Sequence, residues 1–334
     1  MSSRVVAITG ASAGVGRAVA LAFGRKGDLV GLIARSEAGL IDVKSEIERS
    51  GGVAAIAPAD VADAAAVRSA ADRIEQALGP IDVWVNSAMV TIYSRVDDIT
   101  PEEYRRVTEV TYLGYVYGTR EALWRMKRRT RGTIIQVGSA LAYRSIPLQS
   151  AYCGAKAAIR GFTESLRCEL LHDKSPIQLC SVHLPAINTP QFSWARTHFQ
   201  HHPQPVPPIY QPEVAADAIV YAAAHPERRE YWVGTTSVKA IIGNRVAPGL
   251  LDRMMAKQAW NGQFSDERIS PTRPDNLFAP VDGLHATHGI FDDRAESFSL
   301  QAILSRHKWA VAGGVATIGA AFIAGFLGTV RTRR

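Results

Sequence analysis

A chain of 334 residues, 47% hydrophobic and 21% charged, has the make-up of an ordinary folded protein. That excludes a disordered polyelectrolyte and leaves room for one large α/β domain with an appendage. The formal charge of +7 is carried by scattered Lys and Arg. The one cluster, residues 125–131, falls where a helix should end and complements its dipole, which excludes nucleic acid as the main partner.

Three irregularly spaced cysteines, Cys153, Cys168 and Cys180, cannot build a disulfide framework or a zinc site and fit a reducing compartment. The opening MSSRVVAITG enters a strand at once, so no signal peptide is expected. Short β-branched runs then recur: VVAIT at 5–9, LVGLIA at 29–34, VAAIAP at 53–58, IDVWVN at 81–86, TIIQVG at 133–138, IQLCSVHL at 177–184 and YWVG at 231–234. Amphipathic stretches between them predict helices at 16–26, 37–50, 64–78, 101–127 and 151–172. Parallel strands joined by helices of this length need right-handed crossovers. The pattern therefore predicts an α/β fold, a doubly wound, Rossmann-like parallel sheet, over residues 1–242.

Prolines make PQPVPPIYQP at 203–212 a loop, because they remove donors and fix φ, and a loop of this length suits a lid over a site. From 243 to 305 Pro, Asp and Gly come at short intervals, which predicts an irregular C-terminal extension. Residues 310–330 carry no charge. As a helix they would measure about 31 Å against roughly 30 Å of bilayer hydrocarbon, which predicts one transmembrane helix. Flanking charge is nearly balanced, with Arg306 and Lys308 before and Arg331, Arg333 and Arg334 after. Unpaired cysteines and no expected leader, together with the cofactor argued below, predict a globular part in the cytoplasm, held to a membrane by a single-pass C-terminal anchor.

The first strand runs into TGASAGVG at 9–16, and a helix follows. Gly10, Gly14 and Gly16, with Ser12 between them, let backbone approach a pyrophosphate at a positive helix end, which predicts a dinucleotide site. Where an NAD enzyme presents a carboxylate to the ribose, GLIARS offers Ala34 and Arg35. A guanidinium there suits the 2′-phosphate of NADP(H). Further on, Ser139 ends a strand, and Tyr152 and Lys156 stand four apart on one helical face. Tyrosine ionises near 10, and reaching about 7 takes roughly 4 kcal/mol of phenolate stabilisation, which a neighbouring ammonium and a cationic nicotinamide can supply. Ser139 would then donate to a substrate oxygen while Tyr152 moves the proton.

Taken together these residues resemble the classical short-chain dehydrogenase/reductase family over about 240 residues. TGASAGVG is similar to the family's TGxxxGxG turn, and Ser139 and Tyr152 keep its thirteen-residue step. The resemblance implies Ser139, Tyr152 and Lys156 as catalytic groups, Asp60 and Val61 at adenine, Asn86 opening the segment that resembles NNAG, and Thr189 at the nicotinamide carboxamide. It also implies a homodimer or homotetramer through helices beginning near Pro101 and Ala151. Three departures stand out: Met89 replaces the last glycine of NNAG, Thr111 occupies the place of a catalytic asparagine that helps to hold a relay water beyond the lysine, and the segment Pro185 to Thr189 lacks the family's usual glycine and is one residue shorter.

The expected function is NADP(H)-dependent interconversion of a carbonyl and an alcohol on a lipophilic small molecule. An epimerase or dehydratase of the extended branch is disfavoured by the glycine spacing. A catalytically weak cofactor-sensing or scaffolding membrane protein draws support from Thr111 and Met89. No metal is expected, because His198, His201 and His202 lie in the proline-rich lid without partners at ligand spacing. Cys153 reads as a packing residue, and Phe192, Trp194 and Phe199 as lid core or pocket lining.

Overall fold

The computed structural model describes residues 3–270, 272–281, 283 and 285–306. Its centre is a seven-stranded parallel sheet: β1 (Val5–Thr9), β2 (Leu29–Ala34), β3 (Val53–Pro58), β4 (Ile81–Asn86), β5 (Thr133–Ser139), β6 (Gln178–Leu184) and β7 (Glu230–Trp232), in the order β7-β6-β5-β4-β1-β2-β3. The order reverses beside β1, so the carboxyl ends of β1 and β4 splay apart and open a crevice there. The apolar runs are strands because both faces of the sheet are covered. Successive β1 residues alternate: Val6 and Ile8 join one core with Phe23, Leu40 and Ile219, whereas Val5 and Ala7 join the other with Ile74, Ala122 and Leu166.

Helices α1 (Gly14–Arg25) and α2 (Glu37–Arg49) cover the first face, and α3 (Ala64–Leu78) belongs to the second. The helix predicted over 101–127 is not continuous. It comprises α4 (Pro101–Thr108), a π-turn at Glu109–Leu113 and α5 (Gly114–Arg129). Helix α4 starts with Pro101 in its first turn and a reciprocal Thr100/Glu103 capping box. The π-turn brings Thr111 onto Val90, where its hydroxyl donates to the carbonyl at 2.8 Å and accepts from the N–H at 3.0 Å. Within the basic cluster, Arg125 is buried among Asp72, Glu75 and Glu121, and Arg129 pairs with Asp82.

Helix α6 (Ser150–His172) also packs on the second face, and α7 (Pro212–Ala224) on the first. The lid is more ordered than a bare loop, since His201–Pro203 and Ile209–Tyr210 form short strands. The expected boundary at 242 falls inside α8 (Thr235–Val246), and α9 (Pro248–Met254) follows. Within 243–305, strand Phe264–Arg268 pairs antiparallel with His201–Pro203, and Ala295–Glu296 pairs parallel with Ile209–Tyr210. The extension is irregular in conformation yet docked, through single anchors such as Leu277 and Phe291 that periodicity cannot reveal. Full burial of one leucine contributes about 1.5–3 kcal/mol. Among the described residues no helix is long and apolar enough to cross a membrane, and the span expected at 310–330 lies outside them.

Candidate active site

The turn after β1 is cut to backbone dimensions. Gly10 has φ +71°, and a Cβ on it would lie 2.7 Å from the Ala88 Cα; one on Gly16 would lie 2.1 Å from the Gly10 carbonyl oxygen. Neither position tolerates a side chain, so the turn presents backbone to the crevice. Thr9 fixes its far side by accepting from the Ser87 and Ala88 N–H groups at 3.0 and 3.2 Å. Gly10, Ser12, Gly14 and Gly16 all line one cavity of about 650 Å³. Gly14 differs from the sequence expectation in one respect: its N–H, expected to face a phosphate, donates to the Ala286 carbonyl at 2.9 Å.

Arg35, Asp60 and Val61 line the same end of the cavity. The Arg35 guanidinium donates to the carbonyls of Asn276 at 2.5 Å, Phe278 at 3.0 Å and Leu277 at 3.4 Å. Its pKa is lowered by burial and then by Arg106. Asp60 accepts from Arg106 at 2.5 Å and from the Ala62 N–H at 3.0 Å. Asn86 does not reach the cavity. It is fully buried, its amide donating to Thr119 and Gln136 at 3.0 Å and its oxygen accepting from the Trp84 indole at 2.9 Å. This corrects its expected cofactor contact: Ser87, Ala88 and Met89 form the wall there, and Asn86 holds the strand ends behind them.

At the other end Ser139, Tyr152 and Lys156 share the cavity wall with Thr189. Strand β5 delivers Ser139, whose Oγ accepts from the Leu141 N–H at 3.1 Å, and the first two turns of α6 deliver the other two. The Lys156 ammonium lies 5.6 Å from the centre of the Tyr152 ring. It donates to the Tyr115 hydroxyl at 2.9 Å and the Val137 carbonyl at 2.8 Å, and the Tyr115 hydroxyl itself donates to that carbonyl at 3.0 Å. Burial lowers the Lys156 pKa to about 7. Burial also raises the Tyr152 phenol well above its ordinary value, against a downward pull from its hydrogen bond with Ser139.

Thr111 is not brought to these groups. Both of its hydrogen bonds go to Val90 and it is wholly buried, which corrects its expected catalytic place: it pins the segment after β4. The residue that meets Lys156 from this helix is Tyr115, one turn later, which no sequence motif marks. A second unforeseen group lies behind Ser139. His183 sits 3.3 Å from the Ser139 carbonyl oxygen, and Tyr143 donates to Glu230 at 2.6 Å beside it. Burial pushes the His183 pKa down to about 4, so at neutral pH its ring is uncharged. Among the described residues no group of His, Cys, Asp and Glu has the arrangement of a metal site.

A glycine turn at a switch point is thus joined through one cavity to Ser139, Tyr152 and Lys156. The sequence pattern described as short chain dehydrogenase matches residues 4–198, and the chain belongs to that family. An uncharacterized oxidoreductase YxnA of Bacillus subtilis (strain 168) is 33% identical over 287 residues, 85% of this chain and 80% of that protein. A fatty acyl-CoA reductase of Acinetobacter baylyi is 31% identical over 231 residues, 69% of this chain and 76% of that protein. Two solved structures share the fold. An alcohol dehydrogenase from the archaeon Thermococcus sibiricus, complexed with 5-hydroxy-NADP, has TM-score 0.61 and 24% identity over 70% of this chain and 96% of that one. An actinorhodin polyketide ketoreductase variant with NADPH has TM-score 0.63 and 23% identity over 69% and 95%.

Proposed function

We propose that this chain interconverts a carbonyl and an alcohol with NADP(H), acting on a lipophilic substrate. The observation that carries the reading is the single cavity, with the glycine turn and Arg35 at one end and Ser139, Tyr152 and Lys156 at the other. The residues present fit the cofactor: Gly10 and Gly16 pack backbone on backbone where a Cβ would clash, so main chain lines the cavity at the turn, and the Arg35 guanidinium lines the same end. The NADP ligands of the two solved neighbours agree with that choice.

When bound, NADPH would supply the hydride, and NADP⁺ would bring a positive charge to the site. The protein's own residues do the rest. In reduction the Ser139 hydroxyl donates to the carbonyl oxygen and holds it toward Tyr152, whose phenol passes its proton to that oxygen as the C–H bond forms. Lys156, oriented by Tyr115 and the Val137 carbonyl, supplies the ammonium that stabilises the phenolate. Oxidation of the alcohol reverses each step.

A lipophilic substrate is supported by the cavity's remaining walls, where Tyr93, Phe192, Leu251, Met254 and Met255 are brought together. Ile242, Val246 and Leu250 stay exposed on the neighbouring helices α8 and α9. The likeness to a protein named fatty acyl-CoA reductase points the same way. The reading includes a single-pass anchor at 310–330, a cytoplasmic catalytic domain, and a homodimer or homotetramer. Purified full-length chain, screened with NADPH and NADP⁺ against lipophilic ketones, aldehydes and alcohols, tests the proposal. Turnover is expected with NADPH preferred over NADH. Cofactor binding without turnover on any member would favour the scaffolding reading.

A further inference from the structure

The adenosine–phosphate half of the cavity has one wall that its motifs do not supply. Residues 276–281 and 285–289 run across it, contributing Asn276, Pro280, Val281 and His285 to the lining. They are held on both sides of the crevice. On the α2 side Arg35 binds the carbonyls of residues 276–278, and Ser36 Oγ lies 2.9 Å from His285 Nε2. On the α1 side Arg17 donates to the His285 carbonyl at 2.7 Å, and the Gly14 N–H donates to Ala286. Arg106 reaches the Leu277 carbonyl at 3.0 Å, and the Gly289 and Phe291 N–H groups donate to the backbone and side-chain oxygens of Asn188 at 3.3 and 3.1 Å.

Two of these partners, the Gly14 N–H and Arg35, are groups that the glycine motif and the missing carboxylate assign to phosphates. The cavity nevertheless persists beneath the crossing segment, so the segment is a wall of the site and does not fill it. We propose that the C-terminal extension is a working part of the cofactor site: it closes over the adenosine–phosphate half, and the dinucleotide enters and leaves only when it lifts. This rests on the NADP(H) reading above. Residues 273–276, which lead into the crossing segment, grip the stretch 192–196, where Phe192 and Trp194 line the cavity. The Arg273 guanidinium donates to the carbonyls of Phe192, Ser193 and Ala195, the Asn276 N–H donates to the Trp194 carbonyl at 3.0 Å, and Asp275 pairs with Arg196 at 2.9 Å. Cofactor exchange therefore also loosens the substrate pocket.

The test is the rate of NADPH release, read by stopped-flow energy transfer from tryptophan with excess NADP⁺ as chase. It compares the full chain with Gly289→Val. A Cβ on Gly289 would lie 2.5 Å from the Thr189 carbonyl oxygen and 2.7 Å from Asn188 Oδ1, so the segment cannot seat. Release should be at least about tenfold faster in the variant. Hydrogen exchange on the unaltered chain gives a second measurement that needs no variant to fold: NADP⁺ should slow the amides of residues 286–291 by about tenfold. Equal release rates, or exchange at these amides unmoved by NADP⁺, would overturn the role of the extension while leaving the cofactor reading intact. No NADPH binding to the full chain would overturn both.

Discussion

The two ends of the cavity are built in opposite ways. At the catalytic end Ser139, Tyr152 and Lys156 come from one strand and the helix that follows it, within eighteen residues of sequence. At the adenosine end Arg35 and Gly14 meet carbonyls of residues 276–278 and 286, more than 240 residues away. Spacing in the chain therefore encodes the chemistry of one end and is silent about the enclosure of the other. Sequence-local machinery should fail through the rate of the chemical step, whereas the assembled end should fail through binding and exchange.

The largest effect is expected at the catalytic end. Tyr152→Phe removes the proton donor and keeps the ring, so kcat should fall by about 10²–10⁴-fold, while NADPH affinity by fluorescence titration stays within about twofold. Turnover retained at the native level would remove Tyr152 from the acid/base role. At the assembled end, Arg35→Ala removes the guanidinium from its three carbonyls and from the 2′-phosphate proposed for it. NADPH affinity should drop by about 10- to 100-fold and NADH affinity by much less, since only the former carries the 2′-phosphate. An equal loss for both would show that Arg35 serves the extension alone.

A smaller effect separates Tyr115 from the residues that sequence marks. Tyr115→Phe takes away one of two oxygen acceptors for Lys156, and kcat should fall by about tenfold, near one charge-assisted hydrogen bond. The pH profile distinguishes positioning from packing. Lys156 loses its proton near pH 7 in the cofactor-free protein, so kcat/KM should decline as pH rises through about 7. Tyr115→Phe destabilises the ammonium further and should move that decline to lower pH; an unmoved profile would leave Tyr115 a packing residue. The smallest change in rate is expected at Thr111. Thr111→Val leaves both polar groups of Val90 without their partner, so stability should fall by about 1–3 kcal/mol in denaturant titration. The rate should change by less than about threefold, because the side chain touches neither Tyr152 nor Lys156. A large loss of rate with unchanged stability would restore Thr111 to the relay.

What sequence made legible follows the same division. The strand–helix alternation and the glycine turn could be read because each is a local pattern with a local cause. Arg35 stood out in the sequence as an arginine where a carboxylate is otherwise needed, and it lines the cavity, but its carbonyl partners could not be foreseen. Asn86 and Thr111 were assigned by position within motifs, and the structure gives both side chains to the scaffold. The π-turn at Glu109–Leu113 puts Thr111 on Val90 and leaves Tyr115, one turn on, facing Lys156. No periodicity announces such a turn inside an otherwise continuous amphipathic helix. His183 was equally silent, since its neighbours Ser139 and Tyr143 come from one stretch about forty residues before it and Glu230 from another about as far after it.

The long reach of the Arg35 and Gly14 contacts also has a consequence for how the protein is made. A ribosome releases the amino-terminal end first, so the strands and helices through β6 can assemble while residues 276–289 are still being synthesised. During that interval the dinucleotide crevice is open along the side that the extension later covers. Closing it is a contact of very high sequence separation, the slowest kind to form in a folding chain. A dinucleotide present during synthesis can dock in the open crevice and be enclosed when the extension arrives, whereas one added afterwards meets the finished wall. After synthesis the cofactor exchanges only as the extension lifts, so the first binding event and every later one meet different barriers.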